Sequence, residues 1–379
     1  MTYLNYNLKS VPTGIRKLLY LNWPIILLVV ALCCAGFLML YSIAGGNIET
    51  WAEPQMKRFA IGMVLMFVIA MVPIWIWKNL TVIAYLAALA LLLGVELFGH
   101  IGMGAQRWLE LGPIRIQPSE PAKIAMVMML AAYYDWLPPK KVSHPFWVLV
   151  PLVLILLPAG LVFLQPNLGT AMLIIMTGGV MMWVAGVHWA YFATVVGSGA
   201  AGIWAIFASR GTSWQFLHDY QYRRIDTFLN PSHDPLGAGY NINQATIALG
   251  SGGLTGRGFM QGTQSRLNFL PEKQTDFIFN TLAEEFGFIG SMTLLVLYGL
   301  VMFFCLSSAL SNRDRYSSLV IMGISTSFFA LFAVNMMMVM GLAPVVGVPL
   351  PLVSYGGSQL MVMLAAFGLL QSAHVHRPR

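Results

Sequence analysis

The stretch FWVLVPLVLILLPAGLVFLQPNLGTAMLIIMTGGVMMWVAGVHWAYFATVVGSGAAGIWAIFAS, residues 146–209, contains no Asp, Glu, Lys or Arg. One helical crossing of a bilayer takes about 20 apolar residues, so this interval holds several. Two further intervals, from Lys17 to Glu49 and from Arg315 to Arg377, are equally free of these residues. Hydrophobic residues make up 58% of the chain and charged residues 9%, which excludes an ordinary soluble domain. The fold class is an all-α polytopic membrane protein.

Working outward, the pattern predicts ten spans: 20–42, 58–77, 79–97, 120–136, 147–164, 168–187, 190–208, 276–307, 316–340 and 358–373. Basic residues orient them. With the N-terminus inside, Lys9, Arg16, Lys17, Lys78, Lys140, Lys141, Arg313, Arg315, Arg377 and Arg379 fall on the cytoplasmic side. The short outer loops then hold only Lys57, Arg58, Arg107 and Arg115. Both termini are expected in the cytoplasm, and the run after Lys17 is too long for a cleaved signal. The net charge of +7 is spread over loops, which fits basic membrane flanks and gives no reason to expect nucleic acid.

Residues 209–275 form a large extracytoplasmic loop within what reads as a single domain, 1–379. Its aromatic residues, among them Trp214, Tyr222, Tyr240 and Phe259, predict a packed segment. GLAPVVGVPLPLVSYGGS, 341–358, is apolar and proline-rich, and reads as buried or re-entrant backbone. The cysteines Cys33, Cys34 and Cys305 form no ligand or disulfide spacing and read as small buried hydrophobes.

Charge is scarce, so its clusters are informative. QPSEPAK, 117–123, opens a helix with Ser119 as N-cap, and places Glu120 and Lys123 on one face. LPEKQTDFIFNTLAEEFGFIG, 270–290, crowds Glu272, Lys273, Asp276, Glu284 and Glu285 at the start of a span. Asp276, Asn280, Glu284 and Gly287 recur at helical spacing along one side. Equal depth and opposite charge make Asp276–Lys123 the expected pair, with Glu120 competing for the lysine. A purely structural salt bridge is the alternative. GSGGLTGRGF, 250–259, fails nucleotide-binding templates and reads as a turn cluster, although such nests hold phosphate and Arg257 is adjacent. Arg223 and Arg224 suit a pyrophosphate or a solvated loop face. No metal-ligand constellation is visible.

Taken in order, GAQRW (104–108), QPSEPAK, QPNLGTA (165–171), GSGGLTGRGFMQGTQ (250–264), FLPEKQTDFIF (269–279), AEEFGFIG (283–290) and GLAPVVGVPLPLVSYGGS resemble the SEDS family of bacterial cell-wall proteins. The likeness covers essentially the whole chain and is greater to the elongation members than to the division members. It implies a peptidoglycan glycosyltransferase polymerising lipid II outside the cytoplasmic membrane. It also implies catalytic roles for Asp276, Glu120 and Lys123. The substrate-binding candidates are Arg107, Trp108, Arg223, Arg224, Gly252, Gly253, Arg257, Gln264, Glu272, Thr275, Ser354 and Gly356. The expected partners are lipid II, the growing glycan strand, a class B penicillin-binding protein, other elongation-machinery proteins and membrane lipids. A divalent cation, Mg or Mn, is associated with the activity, with no site assigned. Three departures stand out: Asn167 for the family's acidic residue, Gln274 for histidine, and Gln359 after SYGGS. A lipid II flippase and a non-enzymatic scaffold remain as alternatives. A carrier should put its coupling charges near mid-membrane, whereas these cluster at the outer face.

Overall fold

A computed structural model describes residues 14–98, 100–102, 105–111, 114–211, 215, 222, 226, 238–263 and 272–377. After a 3-10 turn at Gly14–Tyr20 come α1 (Trp23–Ile43), α2 (Ala52–Met71) and α3 (Ile74–Phe98). A small antiparallel sheet follows, β1 (His100–Gly102), β2 (Ala105–Leu111) and β3 (Ile114–Ile116), ordered β1-β2-β3. Then come α4 (Ser119–Trp136), α5 (Pro145–Leu164), α6 (Leu168–Val184), α7 (Trp189–Ala208) and α8 (Ala238–Ser251). The last three are α9 (Ile278–Leu310), α10 (Arg315–Val339) and α11 (Gly357–Val375).

Each predicted span contains a helix. Among the described residues eight helices are long and apolar enough to cross a membrane, α6 is a shorter apolar helix, and α4 carries more charge. The second span needs correction: its helix is Ala52–Met71, not 58–77. The helix starts earlier than expected, taking in Glu53 and Lys57, which pair at i,i+4 on an exposed helical turn. Pro73 then separates α2 from α3, since a proline and the residue before it both disfavour continued helix. The short outer loop between the third and fourth spans forms the three strands, β2 pairing antiparallel with β1 and with β3. Cys34 is exposed, contrary to the expectation for all three cysteines.

The packed centre is α10, which contacts α4, α6, α9 and α11, while α2 lies along α11 and α1 along α9. Helix α5 shows how an apolar span keeps its backbone satisfied. Pro151 and Pro158 lie inside it and remove the N–H groups that Trp147 and Leu154 carbonyls would accept. Tyr133 of α4 donates to the Trp147 oxygen at 2.7 Å, and Tyr85 of α3 to the Leu154 oxygen at 2.9 Å. Each proline-freed carbonyl thereby ties α5 to a neighbour.

Helix α9 is interrupted. Gly287 has φ 64° and ψ −158°, so helical spacing does not run from Asp276 through Gly287 as expected. The break is clasped by the glycine-rich turn 252–258. Arg257 and Gly258 N–H donate to the Glu284 and Glu285 carbonyls, and Phe288 and Ile289 N–H donate to the Gly253 and Leu254 carbonyls. A Cβ on Gly256 would stand 2.1 Å from the Glu285 oxygen, and one on Gly287 2.3 Å from the Gly256 nitrogen. Only glycine permits that backbone-to-backbone approach at these left-handed dihedrals.

Candidate active site

Asp276 lies in the turn at 272–277 that leads into α9, not within the helix. The turn is held from every side by its backbone. Asp276 and Thr275 N–H donate to the Glu272 carbonyl at 3.1 Å, with Glu272 itself at φ 51°. Ser354 Oγ donates to the Thr275 carbonyl, Tyr355 N–H to the Gln274 carbonyl at 2.9 Å, and Asn335 Nδ2 to the Asp276 carbonyl at 2.9 Å. The same Asn335 amide reaches the Val348 carbonyl at 2.7 Å, so α10 joins the Asp276 turn to the 341–356 segment. That segment is buried at Val348, Leu350, Leu352, Val353 and Ser354, as its composition predicts.

These contacts fix the main chain and leave the carboxylate to its surroundings. Asp276 Oδ2 faces Gly347, 3.7 Å from where a Cβ would sit. Burial raises the Asp276 carboxyl to about 6, the nearby Glu272 charge adds to the rise, and a Thr275 hydrogen bond partly opposes it.

Lys123 does not pair with Asp276. Its Nζ stands 2.9 Å from Glu120 Oε1, and both side chains are buried. The i,i+3 spacing on α4 brings the two together without any tertiary movement, so the local competitor takes the lysine. Ser119 is the first helical residue and not the N-cap, which is Pro118. The Ser119 hydroxyl is buried without a hydrogen-bond partner.

The other candidates take definite places. Ser354 is buried, accepts from Leu350 N–H at 2.9 Å and closes the Asp276 turn. Gly356 caps α11, and its N–H donates to Gln55 Oε1 at 3.4 Å. Glu272 is exposed and accepts from Gln274 and Thr275. Gly252 and Gly253 belong to the clasp around Gly287, and the Arg257 guanidinium donates to Thr263 Oγ1 at 2.6 Å. Arg107 and Trp108 lie in β2, with Trp108 half-buried. Arg223, Arg224 and Gln264 fall outside the described residues. Glu284 and Glu285 are both buried: Glu284 accepts from Thr263 N–H at 2.7 Å, Glu285 from Ser42 Oγ. Asn167 accepts from Thr170 N–H at 3.4 Å and so caps α6, a role an amide fills as well as a carboxylate. Among the described residues no group of three or more His, Cys, Asp or Glu is placed to hold a metal.

Sequence reasoning passed over Asn335 and Gln55. Asn335 carried a signal, as an amide amid the methionines of an apolar span. Gln55 carries none, because it precedes the predicted second span.

The FtsW/RodA/SpoVE model, described as a cell cycle protein, matches residues 23–379. Peptidoglycan glycosyltransferase MrdB of Escherichia coli (strain K12) is 42% identical over 361 residues, 94% of this chain and 94% of that one. A solved structure on the structural coordination of polymerization and crosslinking by a peptidoglycan synthase complex contains a chain 30% identical to this one. That chain aligns with TM-score 0.80 over 93% of this protein and 97% of its own length. The Rod shape determining protein RodA of Thermus thermophilus is 28% identical, with TM-score 0.71 over 94% and 97% of the two chains.

Proposed function

Because the chain belongs to the FtsW/RodA/SpoVE family, we propose that it is a peptidoglycan glycosyltransferase that polymerises lipid II during cell elongation, with Asp276 as its general base. The observation that carries the assignment to Asp276 is a half-buried carboxylate, on a fixed turn, with no cation within ion-pair distance among the described residues; burial pushes it up to about 6. A base paired with Lys123 would be held too acidic; the Lys123–Glu120 bridge removes that obstacle.

The step then balances as follows. The GlcNAc 4-hydroxyl of one lipid-linked disaccharide attacks MurNAc C1 of the other. Asp276 takes the hydroxyl proton, the new C1–O bond forms, and the C1–O bond to the diphosphate breaks. Undecaprenyl diphosphate leaves. Fixing the Asp276 turn through Ser354, Tyr355 and Asn335 supplies the orientation that such a step needs.

An apolar cavity of about 350 Å³ lies among α2, α3, α4 and α11, lined by Ile69, Ala88, Leu91, Ile124, Ala365 and Leu369, and also by Pro121 beside Glu120. Its lining suits a polyprenyl tail. A divalent cation would be held chiefly by the substrate diphosphate, since no group of three or more His, Cys, Asp or Glu is placed for one among the described residues. When bound it would offset negative charge on the leaving group. The site faces the outside of the cytoplasmic membrane and both termini face the cytoplasm, by the distribution of basic residues. A class B penicillin-binding protein would crosslink the new strand.

The test is polymerisation of fluorescent lipid II by the protein reconstituted with that partner, its transpeptidase blocked. Wild type should make glycan strands and Asp276→Asn should not. Absence of polymer from wild type would sink the activity; polymer at the wild-type rate from Asp276→Asn would sink the role of the aspartate.

A further inference from the structure

We propose that Arg58 is a binding residue for the diphosphate of a polyprenyl-linked ligand, seated at the end of α2 where α11 begins. The inference rests on the glycosyltransferase reading and assigns it a residue outside every motif named above.

Arg58 is half-buried, and its guanidinium carbon stands 5.1 Å from the centre of the Tyr355 ring. One guanidinium nitrogen, Nη1, is buried without a hydrogen-bond partner. No carboxylate lies within ion-pair distance of it among the described residues, and the neighbouring Glu53 is taken by Lys57 at 2.6 Å. Other arginines in the molecule are engaged: Arg210 with Asp226, Arg315 with the Leu137 carbonyl, Arg377 with Ser311. A guanidinium always carries its charge, so a buried donor left empty is costly unless a ligand fills it. An aromatic face holds the charge in place without consuming those donors.

The room for it is also built. A Cβ on Gly357 would sit 3.1 Å from the guanidinium carbon, so the glycine keeps that space open. Gln55, one turn before Arg58, fixes the approach of the chain by donating to the Ser354 carbonyl at 3.0 Å. Tyr355, which carries the guanidinium, donates its N–H to Gln274, two residues before Asp276. Arg58 is thereby attached to the turn that holds the proposed base.

Toward the interior, Arg58 and Ile69 are eleven residues apart on α2, three turns along one face and roughly 16 Å. Ile69 lines the apolar cavity, whose α11 wall begins at Val362, five residues beyond Gly357. A cation on the same helix face as an apolar cavity, three turns from it, matches a ligand with an anionic head and a hydrocarbon tail. A diphosphate presents the paired oxygens that a guanidinium fork takes best.

The ordinary phosphodiester of a membrane lipid shares part of this chemistry, and the experiment separates the two. Full-length protein in phosphatidylcholine nanodiscs is titrated with undecaprenyl diphosphate, with and without phosphatidylglycerol as competitor. Wild type should bind it. Arg58→Gln should bind about 10–100-fold more weakly, the value of a charged hydrogen bond, and Arg58→Lys should fall between. The Arg58→Gln protein should keep its thermal midpoint, because no ion pair is lost. If Arg58→Gln does not fold, Gly357→Ala takes its place, since the added methyl displaces the guanidinium and should weaken binding severalfold. Equal binding by the variants overturns the proposal, as does full competition by phosphatidylglycerol at equal mole fraction. Binding that depends on Arg58 in a protein that never polymerises lipid II would remove the glycosyltransferase reading and leave the site standing.

Discussion

Two acidic centres of this molecule treat charge in opposite ways. On α4, Glu120 and Lys123 close on each other within one helical turn, buried and mutually neutralised. In the turn before α9, Asp276 has its backbone tied by Ser354, Tyr355 and Asn335 while its carboxylate keeps a raised affinity for a proton. The first arrangement cancels its charge internally; the second leaves a carboxylate that burial makes readier to hold a proton. A closed pair keeps its charge to itself, and a fixed but unneutralised carboxylate is the one suited to the proposed chemistry.

The comparison breaks most visibly at Asp276. Asp276→Asn should lower lipid II polymerisation by ~10²–10⁴-fold, the usual span for a general base, while leaving thermal unfolding in detergent unharmed. A loss of folding instead would make Asp276 the structural centre of the two. Next is Lys123→Met, which strands a buried carboxylate and should cost about 3–5 kcal/mol of stability. Adding Glu120→Gln to it should recover much of that loss in a double-mutant cycle, and independence of the two changes would refute the pairing.

The pH profile is a finer instrument. Asp276 ionises near 6, above the ordinary 3.8, so the base is available above about pH 6 and activity should fall roughly tenfold per unit below it. Stability runs the other way. The folded state holds this proton more tightly than the unfolded chain, so its contribution is greatest at low pH and declines between 3.8 and about 6. Asp276→Asn should remove both dependences. The smallest effect is expected from Thr275→Val. The Thr275 hydrogen bond stabilises the ionised carboxylate, so its loss should move the acid limb of the rate profile up by a fraction of a unit.

Much of this architecture is legible in the chain. Charge-free intervals locate the helices because lipid tolerates little else, and the clusters in QPSEPAK and TDFIF mark the candidate site because intramembrane charge is rare. What fails is local competition. Asp276–Lys123 is argued from depth, yet a residue three positions away always arrives first. The interruption at Gly287 is invisible because glycine also occurs in continuous membrane helices; only the docking of residues 252–258 against it makes it a break. Arg58 reads as one more outer-loop charge until the true start of α2 places it beneath Tyr355.

The break at Gly287 also bears on how the chain is made. Residues 288–310 are 23 in number, about 34 Å of helix, enough to cross a bilayer alone. Had α9 run straight, inserting a centred crossing would have carried Glu284 and Glu285 toward the lipid interior, where a carboxylate costs roughly 2.5–3.5 kcal/mol. With the hinge where it is, the crossing enters the membrane as an uncharged segment. The acidic nine-residue helix before it is left to dock afterwards, against protein that has already been inserted.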